Sequence, residues 1–183
     1  MNRTVKKHID DLSSTDDKVR FNALQALLKL TETPVAWVYE VWDLLLDKLE
    51  NENSYQRSIG IMLLCNLAKS DRENRLKSCL DRLLAHTQDE KFITSRQCIQ
   101  NIWKVAAANK SNRVKVLTHL ERRFLECEQE KHYNLIRQDI VQSMALLNRC
   151  EEDNKFLERV QALIEAEQNL KYRKQYEALL KVK

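Results

Sequence analysis

Asp16-Asp17-Lys18-Val19-Arg20-Phe21-Asn22-Ala23-Leu24-Gln25-Ala26-Leu27-Leu28-Lys29-Leu30 is the stretch whose reading decides the fold. Two acids open it, where the partial positive charge of a helix start favours carboxylates. Ala23, Ala26, Leu27 and Leu30 then follow at the three- and four-residue steps of an amphipathic helix. Arg20 stands between the acids and the apolar stripe. The same frame returns around Arg57, Arg96, Arg137 and, more weakly, Arg173, at spacings of 37, 39, 41 and 36 residues. A period of that length marks repeated supersecondary units, each too small to bury its own apolar face.

The chain between the arginines divides into helix pairs. A first helix is expected over Arg3 to Leu12, with Val5, Ile9 and Leu12 on one stripe, and Ser13 to Thr15 turn into the helix of Arg20. Thr33 reads as an N-cap and Pro34 as the first residue of a helix carrying Trp37, Val38, Val41, Leu45 and Leu49. Ser54 reads as the cap of the helix of Arg57, which turns Ile61, Leu64 and Leu67 inward. A third pair starts near Asp71, packs Leu76, Leu80, Leu83 and Leu84, and resumes after Gln88-Asp89-Glu90 with Phe92, Ile99, Ile102, Trp103 and Ala106. A fourth opens at Ser111-Asn112 with Val116, Leu117, Leu120, Phe124 and Leu125, then Leu135, Ile136, Ile140, Val141, Met144 and Leu147. Glu151-Glu152-Asp153 places acid at the start of the fifth pair, which ends through Tyr172, Tyr176, Leu179, Leu180 and Val182. The unit boundaries fall at about 2–32, 33–70, 71–110, 111–150 and 151–183 of a single domain over 1–183.

Composition points the same way. Among 183 residues there is one glycine, Gly60, and one proline, Pro34. Sandwiches, barrels and α/β folds spend both residues on turns, so an all-α protein is expected. The longest uncharged apolar run, Ile61 to Cys65, is far short of the roughly 20 residues that cross a bilayer. Met1 to His8 carries charges with no apolar stretch behind them and does not read as a secretory leader. Cys65, Cys79, Cys98, Cys127 and Cys150 are odd in number and widely spaced, as free thiols in a reducing, cytoplasmic compartment would be.

Asp16 to Leu30 resembles the second helix of the HEAT-repeat family: an acidic turn, Val-Arg, then Ala and Leu at helical spacing. The other copies depart from it. Gln56, Ser95, Ile136 and Tyr172 replace the valine, and Gly60, Ile99, Ile140 and Tyr176 replace Ala23. The resemblance covers nearly the whole chain and implies a right-handed superhelical α-solenoid of about five HEAT-like helix-turn-helix repeats. Armadillo repeats are the near alternative, but they add a third short helix and usually a glycine turn. In HEAT repeats the repeated Asp and Arg bond along the loops between units. The resemblance therefore implies that Arg20, Arg57, Arg96 and Arg137 form a structural ladder rather than a ligand site.

In such arrays the second helices line the concave surface. Here the five second-helix segments carry +12 between them, and the rest of the chain −8 against a whole-chain +4. One face is expected to be basic and to attract acidic partners. If the residues three, four and seven after each arginine face the core, those five, nine and twelve after it face out. That rule selects Gln25, Lys29 and Glu32; Met62, Asn66 and Lys69; Asn101, Val105 and Ala108; and Gln142, Leu146 and Arg149. The binding stripe is accordingly Gln25, Lys29, Met62, Asn66, Lys69, Asn101, Lys104, Gln142 and Arg149, rich in amides and poor in acids.

Catalytic and metal patterns are missing from the sequence. One glycine forbids a nucleotide-binding loop. His8, His86, His119 and His132 are scattered and no Cys-x-x-Cys pair exists, so neither a metal nor a cofactor is expected. The reading is a non-catalytic protein-binding scaffold that takes an acidic segment of a protein partner, without a membrane. The alternative is nucleic-acid binding. Some alkyl-base DNA glycosylases are built from HEAT-like repeats, and Asp139 with Trp103 is the nearest match to their carboxylate beside aromatic residues. The apolar C-terminal helix adds a third expectation, self-association through the last repeat.

Overall fold

The computed structural model describes residues 1–151 and 154–181, with side-chain surroundings for all of these except 151, 154 and 155. The described residues form helices and no strand, so the chain is all-α. Short turns and single 3-10 turns separate α1 (Arg3–Asp11), α2 (Asp17–Leu30), α3 (Trp42–Leu49), α4 (Ser54–Leu67), α5 (Leu76–Ala85), α6 (Phe92–Asn101), α7 (Trp103–Ala108), α8 (Lys110–Glu126), α9 (Tyr133–Glu151), α10 (Asn154–Ala166) and α11 (Leu170–Lys181).

Helix starts follow from local chemistry. The Asp16 carboxylate accepts the N–H groups of Lys18 and Val19, capping α2. Asn53, not Ser54, caps α4 by accepting from the Tyr55 N–H. Asn109 caps α8 in the same way through the Ser111 N–H.

Two helices begin later than their sequence signals. Thr33 and Pro34 do not open a helix. The Val35 N–H donates to Ser70 Oγ at 3.0 Å, and regular α-helix begins only at Trp42. Residues 71–75 form a loop in which Asn74 has φ of 52°, the left-handed region that Asn tolerates. The Asp71 carboxylate accepts the N–H groups of Arg75 and Leu76 and so starts α5. The helix of Arg96 is broken at Ile102 into α6 and α7. There Asn101 Nδ2 donates to the Gln97 carbonyl at 2.8 Å and the Val105 N–H bonds the Ile102 carbonyl, a tighter turn than the α-helical one. The acidic start expected at Glu151-Glu152-Asp153 and the place of Val182 lie outside the described residues.

Helices α1 and α2 pack together, as do α3 and α4, α8 and α9, and α10 and α11. Helix α2 also packs on α4, α4 on α6 and α7, these on α9, and α9 on α11. Helix α8 packs on both α5 and α10. The second helices thus contact one another in chain order, and α5, α8 and α10 do so beside them. Buried apolar side chains from Val5 to Tyr176 form one cluster. Leu30 and Leu125, expected inside, are 43% and 55% exposed, because each lies past the edge of its helix's contact stripe. Gly60 is buried where α4 crosses α3: a Cβ there would lie 2.9 Å from the Leu45 carbonyl oxygen. Tyr176 is fully buried and Tyr172, Leu179 and Leu180 are partly buried against the same core.

Candidate binding face

The repeated arginines are absorbed by the fold. Arg57 places Nε and Nη2 on the two oxygens of Asp89, at 2.7 and 2.8 Å, and Nη1 on the carbonyls of Asn51 and Glu52. Arg96 grips Asp139 with Nε and Nη2 at 2.6 and 3.0 Å. Arg137 donates to the Phe124 carbonyl and to Glu167 Oε2 at 2.8 Å. These carboxylates lie 32, 43 and 30 residues further on, about one unit away. A guanidinium fork matches a carboxylate with two parallel bonds, which fixes orientation as well as charge. Those carboxylates raise the pKa of Arg57 and Arg96, and Glu167 raises that of Arg137 against the opposing effect of its burial. Burial pulls Asp89 the other way, but bonds from Arg57, the Lys91 N–H and His86 outweigh it and lower its pKa to about 2.

Arg20 differs from the other three. It bonds the Ser14 carbonyl and Asp17 within its own unit and lies over the Tyr55 ring at 5.5 Å. The turn between α1 and α2 is tied to the next unit instead by Gln56, whose Nε2 reaches the Leu12 carbonyl at 3.0 Å, and by Lys48, which bonds Ser13 Oγ and Gln56. Sequence reasoning missed these two residues, which repeat in no other unit.

The outward stripe divides into two groups. Gln25, Lys29, Lys69, Gln142 and Arg149 are exposed, and Met62 is partly so. Arg149 Nη2 donates to the Leu179 carbonyl at 3.3 Å. Asn66 and Val105 are buried, at 6% and 0% exposure, which corrects their outward assignment. The physical reason for Asn66 is its bonding. Its Nδ2 donates to the Leu28 carbonyl and to Thr31 Oγ1, both at 3.1 Å, closing the end of α2. Its Oδ1 accepts from Lys104 Nζ at 2.6 Å, and Lys104 donates again to Asn101 Oδ1 at 2.6 Å. Lys69 Nζ reaches the Glu32 carbonyl at 2.9 Å. Val105 points inward because the break at Ile102 shifts the phase of α7.

The chemistry of this face is that of fixed cations and neutral amides. Lys104 is partly buried, and desolvation lowers its pKa, with the nearby Lys69 charge adding to the effect. Cys65, buried beside it, is pushed up to about 12 by burial. Burial likewise raises Cys79, Cys98 and Cys127, so these thiols are poor nucleophiles. Cys150 is exposed, unlike the other four. Among the described residues no group of three or more His, Cys, Asp or Glu side chains could hold a metal ion. Asp139 is 2% exposed and committed to Arg96 and to Gln100 Nε2 at 2.9 Å, so it presents no free carboxylate beside Trp103. An open cleft of about 430 Å³ lies at the turns instead, lined by Asp89, Phe92, Arg123, Glu130 and His132. Arg123 is already held there by the Thr87 carbonyl and Glu130. No described helix is long and apolar enough to cross a membrane.

No protein-family model and no curated protein matches this chain. Among solved structures it is similar to the crystal structure of an engineered protein from the Northeast Structural Genomics Consortium. The TM-score is 0.59 at 14% identity, over 98% of this chain and 78% of that one. A likeness at that identity speaks to the helical fold alone.

Proposed function

We propose that this chain is a HEAT-like right-handed α-solenoid of about five repeats, acting as a non-catalytic protein-binding scaffold. Its second-helix face takes an acidic segment of a partner protein. The second helices contact each other in chain order, as stacked repeats do. They also carry the positive share of the charge. The observation that carries the reading is the fate of the arginines. Arg57, Arg96 and Arg137 spend their forks inside the fold, so the outward cations are mainly lysines set among amides. Dense phosphate tracking draws heavily on arginine, whereas spaced ammonium groups and neutral amides match a peptide with scattered acids.

Capture from native lysate, with and without nuclease and at two salt concentrations, tests this. A protein partner that survives nuclease and weakens only modestly with salt is the expected result. Recovery of nuclease-sensitive material alone, lost by several decades on raising the salt, would overturn it.

A further inference from the structure

The geometry points to a carboxylate-binding site on the Lys69–Lys104 pair, which holds an acidic side chain of a bound peptide. It rests on the proposed reading of the second-helix face and names where on that face the acid sits.

Among the described residues, the two buried cations of the second helices each meet a carboxylate, and the partly buried Lys104 can be set beside them. Arg57 has Asp89, and Arg137 has Glu167. Lys104 does not. Its ammonium is held by two neutral oxygens, Asn66 Oδ1 and Asn101 Oδ1, each at 2.6 Å. An ammonium has three donors, so one is left. Lys69 is anchored by a main-chain carbonyl, that of Glu32. Among the described residues neither lysine forms an ion pair, although 27 acids are present in the chain. Lys104 bonds Asn66, which bonds Thr31, and Lys69 bonds the carbonyl of the next residue, Glu32, so both ammonium groups gather at the end of α2. Like charges gathered there without a counterion repel, and a carboxylate relieves that repulsion. Asn66 is itself locked onto Leu28 and Thr31, and Asn101 onto the Gln97 carbonyl. The Lys104 side chain has therefore already lost much of the freedom that binding would otherwise cost. The surroundings favour a peptide: Met62 is partly exposed on the same helix face, and the amides can bond main-chain groups.

The test uses a fluorescently labelled peptide of alternating Glu and Ala, followed by anisotropy against the full chain. Lys69→Gln and Lys104→Gln should each weaken binding about tenfold. Lys77→Gln on α5 makes the same charge change away from the pair and should leave binding unchanged. Lys104→Arg keeps the charge but moves the donors off the two amides. It should bind several-fold more weakly while its circular dichroism stays that of the parent. Binding that persists equally in all four variants would overturn the lysine-pair site and leave the acidic-segment reading standing. No binding of the peptide by the parent chain would overturn both. A labelled single-stranded oligonucleotide that binds more tightly than the peptide, with the same dependence on Lys69 and Lys104, would overturn the peptide as the occupant.

Discussion

Arg137 and Glu167 are nearly shut off from water, with side chains 5% and 2% exposed. An ion pair so placed gains little net stability by existing, but removing one partner strands the other charge. Arg137→Met should therefore cost about 3–5 kcal/mol in urea unfolding. The double change Arg137→Met with Glu167→Gln should recover most of that loss. Asp89 adds an acid-side effect. Its folded pKa, about 2, lies below its ordinary value of 3.8. Its stabilising contribution is full above about pH 4 and drains away as the pH falls toward 2. His119 acts in a higher window. Its Nδ1 accepts from Arg122, and its Nε2 lies 2.7 Å from Thr87 Oγ1, which itself donates to the Leu84 carbonyl. These partners suit a neutral ring with the proton on Nε2, and burial followed by the charges of Arg122 and Arg123 lowers its pKa. A lowered histidine contributes stability above its ordinary value near 6.5 that is lost as the pH falls through the folded value. Unfolding free energy should thus decline below about pH 6.5, and His119→Gln should remove that part of the slope.

At the scale of elements, the crossing of α3 and α4 is set by Gly60. A Cβ would meet the Leu45 carbonyl oxygen at 2.9 Å and Lys48 Cβ at 3.0 Å. Gly60→Leu should destabilise by about 1–3 kcal/mol through overpacking, read as a fall in the urea midpoint. Helix existence and the inward stripes were legible because the apolar spacing of Leu76, Leu80 and Leu83, or of Ile136, Ile140 and Met144, is a local signal. Helix starts were less so. Pro34 carries the signal for a first helical residue, yet the backbone beside it bonds Ser70, 35 residues away. Tyr39 likewise bonds Asp71 at 3.0 Å and accepts the Glu73 N–H, holding the 3-10 turn before α3 to the loop before α5. Partners that distant leave no mark on local spacing.

At the scale of the whole molecule, the ladder was half legible. The period located the arginines, and Asp89, the partner of Arg57, lies in the polar break that the spacing had marked as a turn, while Glu167, the partner of Arg137, lies in the turn between α10 and α11. Asp139 broke the pattern by sitting within α9, and Arg20 broke it by bonding locally. The outward stripe was legible at Gln25 and Gln142, and failed at Val105, beyond the break at Ile102, and at Asn66, which turns inward to bond the end of α2. Stacked repeats predict an elongated particle. Its radius of gyration in small-angle scattering should exceed the ~16 Å of a compact globule of this length. A value at or below that would count against the solenoid. The central claim, an acidic segment held on the second-helix face, is tested most directly by nuclear magnetic resonance. The labelled chain is titrated with the Glu-Ala peptide and the backbone amides are followed. Shifts concentrated in the last turns of α2 and α4 and in α7, around Lys29, Lys69 and Lys104, are the predicted result. Shifts on α5 and α8 instead, or none at saturating peptide, would contradict it.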